Sequence, residues 1–192
     1  MIHGASSSTI TVNNSSVSIK GESGSAIHLV YGSANVTAGT FSSTSADCVV
    51  TESNGTFSMS GGNLSSSSKC AYWCKGGVGT ISGTSVLNGK SDGVAVDGTC
   101  YIKGGTIVGK GCGVINPGGN VTVSGGNITG QTWDGLNQNS SNTGTKMTVT
   151  GGTVKGVNWA VYIASGTYSK SGSPNLIRGT AGTVYYYKGG TY

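Results

Sequence analysis

The sequence predicts an all-β protein, a single-stranded, right-handed parallel β-helix (β-solenoid) of about eight coils of 19 to 26 residues. A six-residue unit, in which two apolar residues enclose four small or polar ones, recurs along the chain, as in VSGGNI at 123–128. Seven units begin at positions 12, 36, 59, 81, 102, 123 and 149, and steps of 21 to 26 residues are typical of solenoids. The 36 glycines and the lack of a sustained 3.6-residue apolar stripe argue against helices.

The start of each unit predicts the first strand of a coil. An apolar residue usually lies two positions before the unit, as Val121 does before Val123, and this alternation has the period of a strand. In stacked coils the first residues of the units form one interior column with a spacing of about 4.8 Å. The predicted column consists of Val12, Val36, Met59, Ile81, Ile102, Val123 and Val149.

The glycine pair inside many units predicts a corner, because glycine adopts a positive φ without strain. In VSGGNI we expect Gly125 to take this conformation, and we expect Asn127 to hydrogen-bond nearby backbone groups. The second apolar residue of the unit then begins the second strand. The nine copies of the unit lie at 12–17, 36–41, 59–64, 81–86, 102–107, 123–128, 149–154, 163–168 and 187–192.

A third strand is predicted seven or eight residues after the second apolar position, where a further apolar residue often follows glycine. The residues at this position are Val94, Val114, Leu136 and Val161. The spacing becomes irregular near the C-terminus, so we expect residues 161–168 to belong partly to the preceding coil.

Residues 1–192 are interpreted as one β-solenoid domain, because no Pro-rich or charged linker divides them. The sequence ends part-way through a coil, which is typical of a fragment of a longer repeat protein. An unfinished coil exposes apolar rings and unpaired backbone groups. We therefore predict that Tyr185, Tyr187 and Tyr192 form a surface for self-association or for docking of another chain.

The net charge of +5 arises from 11 Lys and Arg residues against six acids. The cations are isolated and do not form a basic run or an aromatic-basic motif, so nucleic acid is not expected as a partner. No apolar run is long enough to span a membrane, and the initial MIHGASSS lacks the apolar segment of a signal peptide. We expect the protein to be extracellular, on a cell surface or part of a virion.

The five cysteines leave two interpretations open. Cys48 lies 12 residues into its coil and Cys70 lies 11 residues into the next, so a disulfide between them is one prediction. The other is that Cys48, Cys100 and Cys112 are small buried apolar residues. The CAYWC segment at 70–74 has the wrong spacing for a zinc knuckle, and neither a metal nor another cofactor is expected.

The units TVSGGNITG and TVTGGTVKG resemble the repeats of bacterial surface proteins, especially the long secreted adhesin-like proteins of gut Firmicutes. The chain is also similar to the right-handed parallel β-helices of pectate lyases and phage tailspikes. This resemblance covers roughly residues 10–192. It implies architecture more than function, since such coils occur in adhesins, depolymerases, spikes and spacers alike.

Three aspartates provide an enzymatic hypothesis. Asp47, Asp92 and Asp134 each lie 11 residues after the start of a coil, in coils that are two apart. Their carboxylates are predicted to be about 9.6 Å apart, near the upper end of the separation in inverting glycoside hydrolases. Asp-Gly at 92 and 134 is also an ordinary turn signature. A polysaccharide-depolymerising hydrolase or lyase is therefore the alternative to a non-catalytic protein.

Two tryptophans predict a binding platform. Trp133 and Trp159 each lie ten residues after the start of a coil, so we expect two indoles to stack in adjacent coils, with Asp134, Asn158 and Tyr162 beside them. Sugar rings bind to such platforms through their apolar faces and through flanking polar groups. In the alternative interpretation, one Trp fills a corner or both cover an end of the core.

Polar pairs flank most of the first strands, and regular arrays of this kind resemble those of ice-binding solenoids. Tyr101 and Lys103 interrupt the array. Its members are Thr11/Asn13, Asn35/Thr37, Ser58/Ser60, Thr80/Ser82, Thr122/Ser124 and Thr148/Thr150.

The function that the sequence favours is a non-catalytic structural or adhesion module that binds a glycan. A tailspike-like depolymerase and an ice-binding solenoid are the alternatives.

Overall fold

The computed structural model of the chain describes residues 1–4 and 7–186. In this part the chain winds into a parallel β-solenoid of about eight turns, without a helix. The 21 strands form one sheet, in which each coil pairs with the coils before and after it. The predicted fold class is confirmed.

The strands of a coil lie on three faces, which we name A, B and C in the order of a coil. Four long strands bend around a corner and belong to two faces: β4 (Ile27–Val36) and β6 (Val49–Met59) run from face C to face A, and β12 (Thr99–Gly109) and β14 (Asn120–Gly130) run from face A to face B. Face A also contains β2 (Thr9–Val12), β9 (Val78–Ile81), β16 (Lys146–Val149) and β19 (Thr167–Lys170). Face B also contains β3 (Ser18–Gly21), β5 (Thr40–Ser43), β7 (Asn63–Ser66), β10 (Val86–Gly89), β17 (Thr153–Lys155) and β20 (Asn175–Ile177). Face C also contains β1 (Ile2–Gly4), β8 (Tyr72–Cys74), β11 (Val94–Val96), β13 (Val114–Ile115), β15 (Leu136–Gln138), β18 (Trp159–Ile163) and β21 (Gly182–Tyr186).

The predicted interior column on face A is confirmed. Val123 pairs with Ile102 in the coil before it and with Val149 in the coil after it, and the register continues in this way back to Val12. All seven residues are buried. Because full burial of an aliphatic side chain contributes about 1.5–3 kcal/mol, this column is a main source of the stability of the solenoid.

The interior column on face B differs from the prediction in two units. Leu87, not Val86, pairs with Leu64 and Ile107. Ile19 is the residue that pairs with Phe41, whereas Val17 precedes the strand. In both units one or two extra residues lie between the corner and the strand, so the fixed six-residue spacing fails there.

The predicted third strand is also confirmed, because Val94, Val114, Leu136 and Val161 pair in sequence on face C. Residues 161–163 complete the coil that begins at Val149, as expected. Tyr168 pairs with Met147 and therefore begins the next coil on face A. The unit at 163–168 thus spans the corner between faces C and A, and the unit at 187–192 lies outside the described residues.

The prediction that a glycine with positive φ forms the corner is confirmed, but the prediction that this glycine is Gly125 is wrong. The positive φ belongs to the second glycine of the pair, Gly126, at 89°, and not to Gly125. Gly125 is restricted for another reason, because a Cβ at this position would clash with the carbonyl oxygen of Lys103 in the coil below. One glycine supplies the turn and the other permits close stacking of the coils.

The predicted disulfide between Cys48 and Cys70 is wrong, because all five cysteines are free and buried. Val49 pairs with Tyr72, so Cys48 aligns with Ala71 and is one residue out of step with Cys70. Consecutive residues of a strand point to opposite sides of the sheet, and the two sulfurs therefore do not meet. The alternative, that Cys48, Cys100 and Cys112 are buried apolar residues, agrees with the structure.

Replacing Gly126 with Ala should lower the free energy of unfolding by about 1 kcal/mol or more, because the left-handed backbone conformation is strained for an L-residue. Gly24→Ala is the matched control, since its φ is not positive and the added Cβ would meet only Met1 Sδ at 3.8 Å. Urea unfolding measures both variants. Equal stabilities would show that the corner does not depend on glycine.

Cys48, Cys70, Cys100 and Cys112 should react very slowly with iodoacetamide at pH 8 in the folded protein. Burial raises the pKa of Cys48, Cys70 and Cys112 to about 12 and that of Cys100 well above its usual value, so the reactive thiolate is scarce. Denaturation without a reductant should then allow all five to be labelled, as measured by intact mass. A mass that lacks two labels would indicate a disulfide.

Candidate functional site

The outward side chains of face C form a column that the sequence analysis did not identify. Its residues alternate with the interior column, so their side chains point away from the core. The column is rich in aromatic residues at both ends, where His3 and His28 make an edge contact and Tyr162 and Tyr185 stack. In order along the solenoid, its members are His3, His28, Val50, Trp73, Ala95, Ile115, Asn137, Tyr162 and Tyr185.

A cleft of about 250 Å³, which we call the upper cleft, opens in this column where Asn137 lies below Tyr162. All five residues predicted for the binding platform line it, namely Trp133, Asp134, Asn158, Trp159 and Tyr162. Asn137 and Asn139 also line it, and sequence reasoning missed them. The sequence contained a signal for Asn137. It follows Leu136, an interior residue of the third strand, and the residue after an interior one faces outward.

The two indoles of the upper cleft are not stacked directly on one another. The backbone N–H groups of Val157 and Asn158 donate to the carbonyl oxygen of Trp133, and Leu136 pairs with Val161. Asn158 therefore lies above Trp133, and Trp159 lies above Asp134. The corner between faces B and C is one residue shorter in the later coil, so equal distances from the coil start do not give equal positions.

The indole of Trp133 forms the exposed lip of the upper cleft. Trp133 is 57% exposed, the largest value among the exposed Trp and Tyr residues of the described chain. A Cβ placed on Gly111 in the coil below would lie 3.6 Å from Cδ1 of this indole. Trp133 thus lies beside Gly111 of the preceding coil, and more than half of its surface is accessible to a ligand.

Trp159 and Tyr162 also line the upper cleft, and both rings contact Tyr185. The rings of Tyr162 and Tyr185 stack at 4.7 Å with an interplanar angle of 8°, and the Trp159 and Tyr185 centroids are 5.4 Å apart. Tyr185 therefore uses its ring within the chain. Tyr187 and Tyr192, the other residues of the predicted association surface, lie outside the described residues, so that surface stays a prediction.

Asp134 lies at the base of the upper cleft and is 4% exposed. Its Oδ2 accepts a hydrogen bond from Asn137 Nδ2 at 2.7 Å, and its Oδ1 accepts one from the backbone N–H of Trp159 at 3.1 Å. Burial raises the pKa of this carboxyl, and the two hydrogen bonds oppose the rise. Asn137 Oδ1 is buried and has no hydrogen-bond partner in the part of the chain that the structure describes.

Asp47, Asp92 and Asp134 share one position at the corner between faces B and C, as predicted. In each case Oδ1 accepts a hydrogen bond from the backbone of the next coil: from Cys70 N–H at 2.9 Å, from Cys112 N–H at 2.7 Å and from Trp159 N–H. The carboxylates thus cap backbone donors that the corner leaves unpaired. Cys70 and Cys112 occupy the same position in the two intervening coils, and Trp159 occupies it in the coil after Asp134.

The polar array on face A also has the predicted register, because its first column pairs from coil to coil. The residues of this column are Thr11, Asn35, Ser58, Thr80, Tyr101, Thr122 and Thr148. Tyr101 interrupts it with a ring that is 38% exposed. In the second column of the array, Thr37, Ser82 and Thr150 donate hydrogen bonds to carbonyl oxygens of the preceding coil. These hydroxyl groups are partly used in stabilising the solenoid.

The comparisons with known proteins add no family to this geometry. No protein-family model, no curated protein and no solved structure matches the chain. In residues 1–4 and 7–186 no three His, Cys, Asp or Glu side chains are arranged to hold a metal ion. The same residues include no helix with the length and hydropathy needed to cross a membrane.

Asp47→Ala should lower the free energy of unfolding by about 1–3 kcal/mol, because the buried N–H of Cys70 loses its acceptor. Asp47→Asn is the matched control, since an amide oxygen at the same place can still accept this hydrogen bond. Thermal and urea unfolding of both variants measure the difference. Wild-type stability in Asp47→Ala would argue that the aspartate column is not structural.

Proposed function

We propose that the chain is a non-catalytic structural or adhesion module that binds a glycan through the upper cleft, outside the cell, on a cell surface or on a virion. The observation that carries the proposal is the convergence of an exposed indole, two further aromatic rings, three side-chain amides and one carboxyl group in one cleft of about 250 Å³. The solenoid supplies a rigid support, because Asn137, Trp159 and Tyr162 lie on hydrogen-bonded strands and Trp133 and Asp134 lie in the corner that precedes β15.

The chemistry of the upper cleft suits a pyranose ring. The exposed indole of Trp133 can pack against the apolar face of a sugar, where C–H groups meet the negative face of the ring. Asn137, Asn139 and Asn158 carry donors and acceptors for hydroxyl groups around the ring edge. An aromatic platform flanked by a few polar groups is the general composition of small-molecule sites.

The state of the aspartates favours binding over catalysis. Each carboxylate of the column already accepts a backbone hydrogen bond, and successive members are separated by a coil whose equivalent residue is Cys70 or Cys112. Glycoside hydrolysis needs a protonated acid and a free carboxylate on opposite sides of one sugar bond. The depolymerase stays an alternative, and incubation with polysaccharides should release neither reducing ends nor unsaturated uronates.

A glycan array tests the proposal with wild-type protein, Trp133→Ala and Tyr101→Ala. Trp133→Ala should weaken binding by at least about tenfold, equivalent to about 1.4 kcal/mol, because the platform for the ring is lost. Tyr101→Ala removes an exposed aromatic ring from face A and should bind like the wild type. Equal binding by all three proteins, or no binding to any glycan, would overturn the proposal.

A further inference from the structure

A second cleft, which we call the lower cleft, opens on face C below the upper cleft, with a volume of about 320 Å³. It lies where the small side chain of Ala95 follows Trp73 in the outward column. The indole Nε1 of Trp73 donates a hydrogen bond to Asp97 Oδ2 at 2.8 Å, which fixes the ring against the next coil. Lys69, Asp47 and Pro117 complete its edges.

The two clefts lie along one line parallel to the axis of the solenoid. Trp73 and Tyr162 are four register steps apart in the outward column, through Ala95, Ile115 and Asn137, which corresponds to about 19 Å. An extended chain of several sugar rings is needed to contact both ends.

Small residues connect the clefts. Ser91 lines the lower cleft, and a Cβ on Gly111 in the next coil would lie 3.0 Å from its carbonyl oxygen and 3.6 Å from the indole of Trp133. Trp133 of the upper cleft therefore lies close to residues that border the lower cleft. We call the two clefts together with this connection the trough.

The trough is acidic although the protein is basic overall. Asp47, Asp92, Asp97 and Asp134 border it, and they are four of the six acids of the chain. None of the four makes an ion pair in the described residues, and Lys69 is the one cation that lines either cleft. Lys75 approaches the ring of Trp73, but its ammonium group is paired with Glu52 at 3.1 Å.

We propose that the trough binds one extended polysaccharide that carries free amino groups, with its sugar rings on Trp73 and Trp133. This inference rests on the proposed function, because it takes the upper cleft as a glycan site and adds the length and charge of the ligand. The ammonium groups of such a chain complement the aspartates, whereas the carboxylates of a uronate chain are repelled by them.

Length dependence provides the first test, by calorimetric titration with a glucosamine disaccharide and a glucosamine octasaccharide. The octasaccharide should bind at least about tenfold tighter, because contacts at the second cleft become intramolecular once the first is occupied. Trp73→Ala should remove this advantage, so that the octasaccharide binds no more tightly than the disaccharide. Ala95→Leu, which fills the lower cleft without removing the Trp73–Asp97 hydrogen bond, should act in the same way and controls for misfolding of Trp73→Ala.

The outcomes separate this inference from the proposed function. Loss of octasaccharide binding in Trp133→Ala, with wild-type binding in both Trp73→Ala and Ala95→Leu, would overturn the trough and leave the upper cleft as a glycan site. A wild-type protein that binds no glycan would overturn both.

Charge provides the second test, with octamers of glucosamine, N-acetylglucosamine and galacturonate. The glucosamine octamer should bind most tightly, the galacturonate octamer least, and the difference should decrease at high salt because exposed charges are screened. Asp97→Asn should reduce the preference for the amine, and Glu22→Gln, at an exposed position away from both clefts, should not. Equal affinity for the amine and its N-acetylated form would overturn the assignment of the ligand.

Discussion

The parallel backbone hydrogen bonds between successive coils are the interaction on which the rest of the structure depends. They hold equivalent residues of neighbouring coils about 4.8 Å apart, so every position in a coil becomes a column along the solenoid. The core is made of three such columns, and the outer surface is made of the columns between them. A side chain in this fold is therefore surrounded mainly by its equivalents one coil earlier and one coil later.

The corners decide how well this stacking works. A chain that turns three times per coil leaves backbone donors without strand partners at each turn, and buried donors must be paired. At the corner between faces B and C the aspartates meet this need, because Asp47, Asp92 and Asp134 each accept a backbone hydrogen bond from the next coil. Glycines at other corners adopt a positive φ, or they allow the backbones of neighbouring coils to approach more closely than a side chain would permit.

The same columns produce the candidate site. On face C a row of outward residues contains small or polar members at Ala95 and Asn137 between bulkier neighbours, and a cleft opens at each of them. The aspartates that cap the corner lie along the edge of these clefts, so groups with a structural task also give the surface its negative charge. The proposed ligand thus follows from a combination of packing and capping that the solenoid repeats along its axis.

The sequence by itself determined the fold class, the three strands of each coil and most of the interior columns, because apolar residues alternate within each strand and the unit recurs every 21 to 26 residues. It also predicted that Trp133, Asp134, Asn158, Trp159 and Tyr162 lie close together, because two tryptophans at the same distance from a coil start stand out against a background of glycine and serine. Only the tertiary structure decided which residues stand above one another after each corner. Trp159 lies above Asp134 and not above Trp133, and Cys48 aligns with Ala71 and not with Cys70, because corners differ in length by a residue and the register is set again by the pairing of the next strand. A shift of one residue reverses the direction of a side chain. The contacts of the site and the alignment of the two clefts on one face therefore depend on hydrogen bonds between residues that are far apart in the chain.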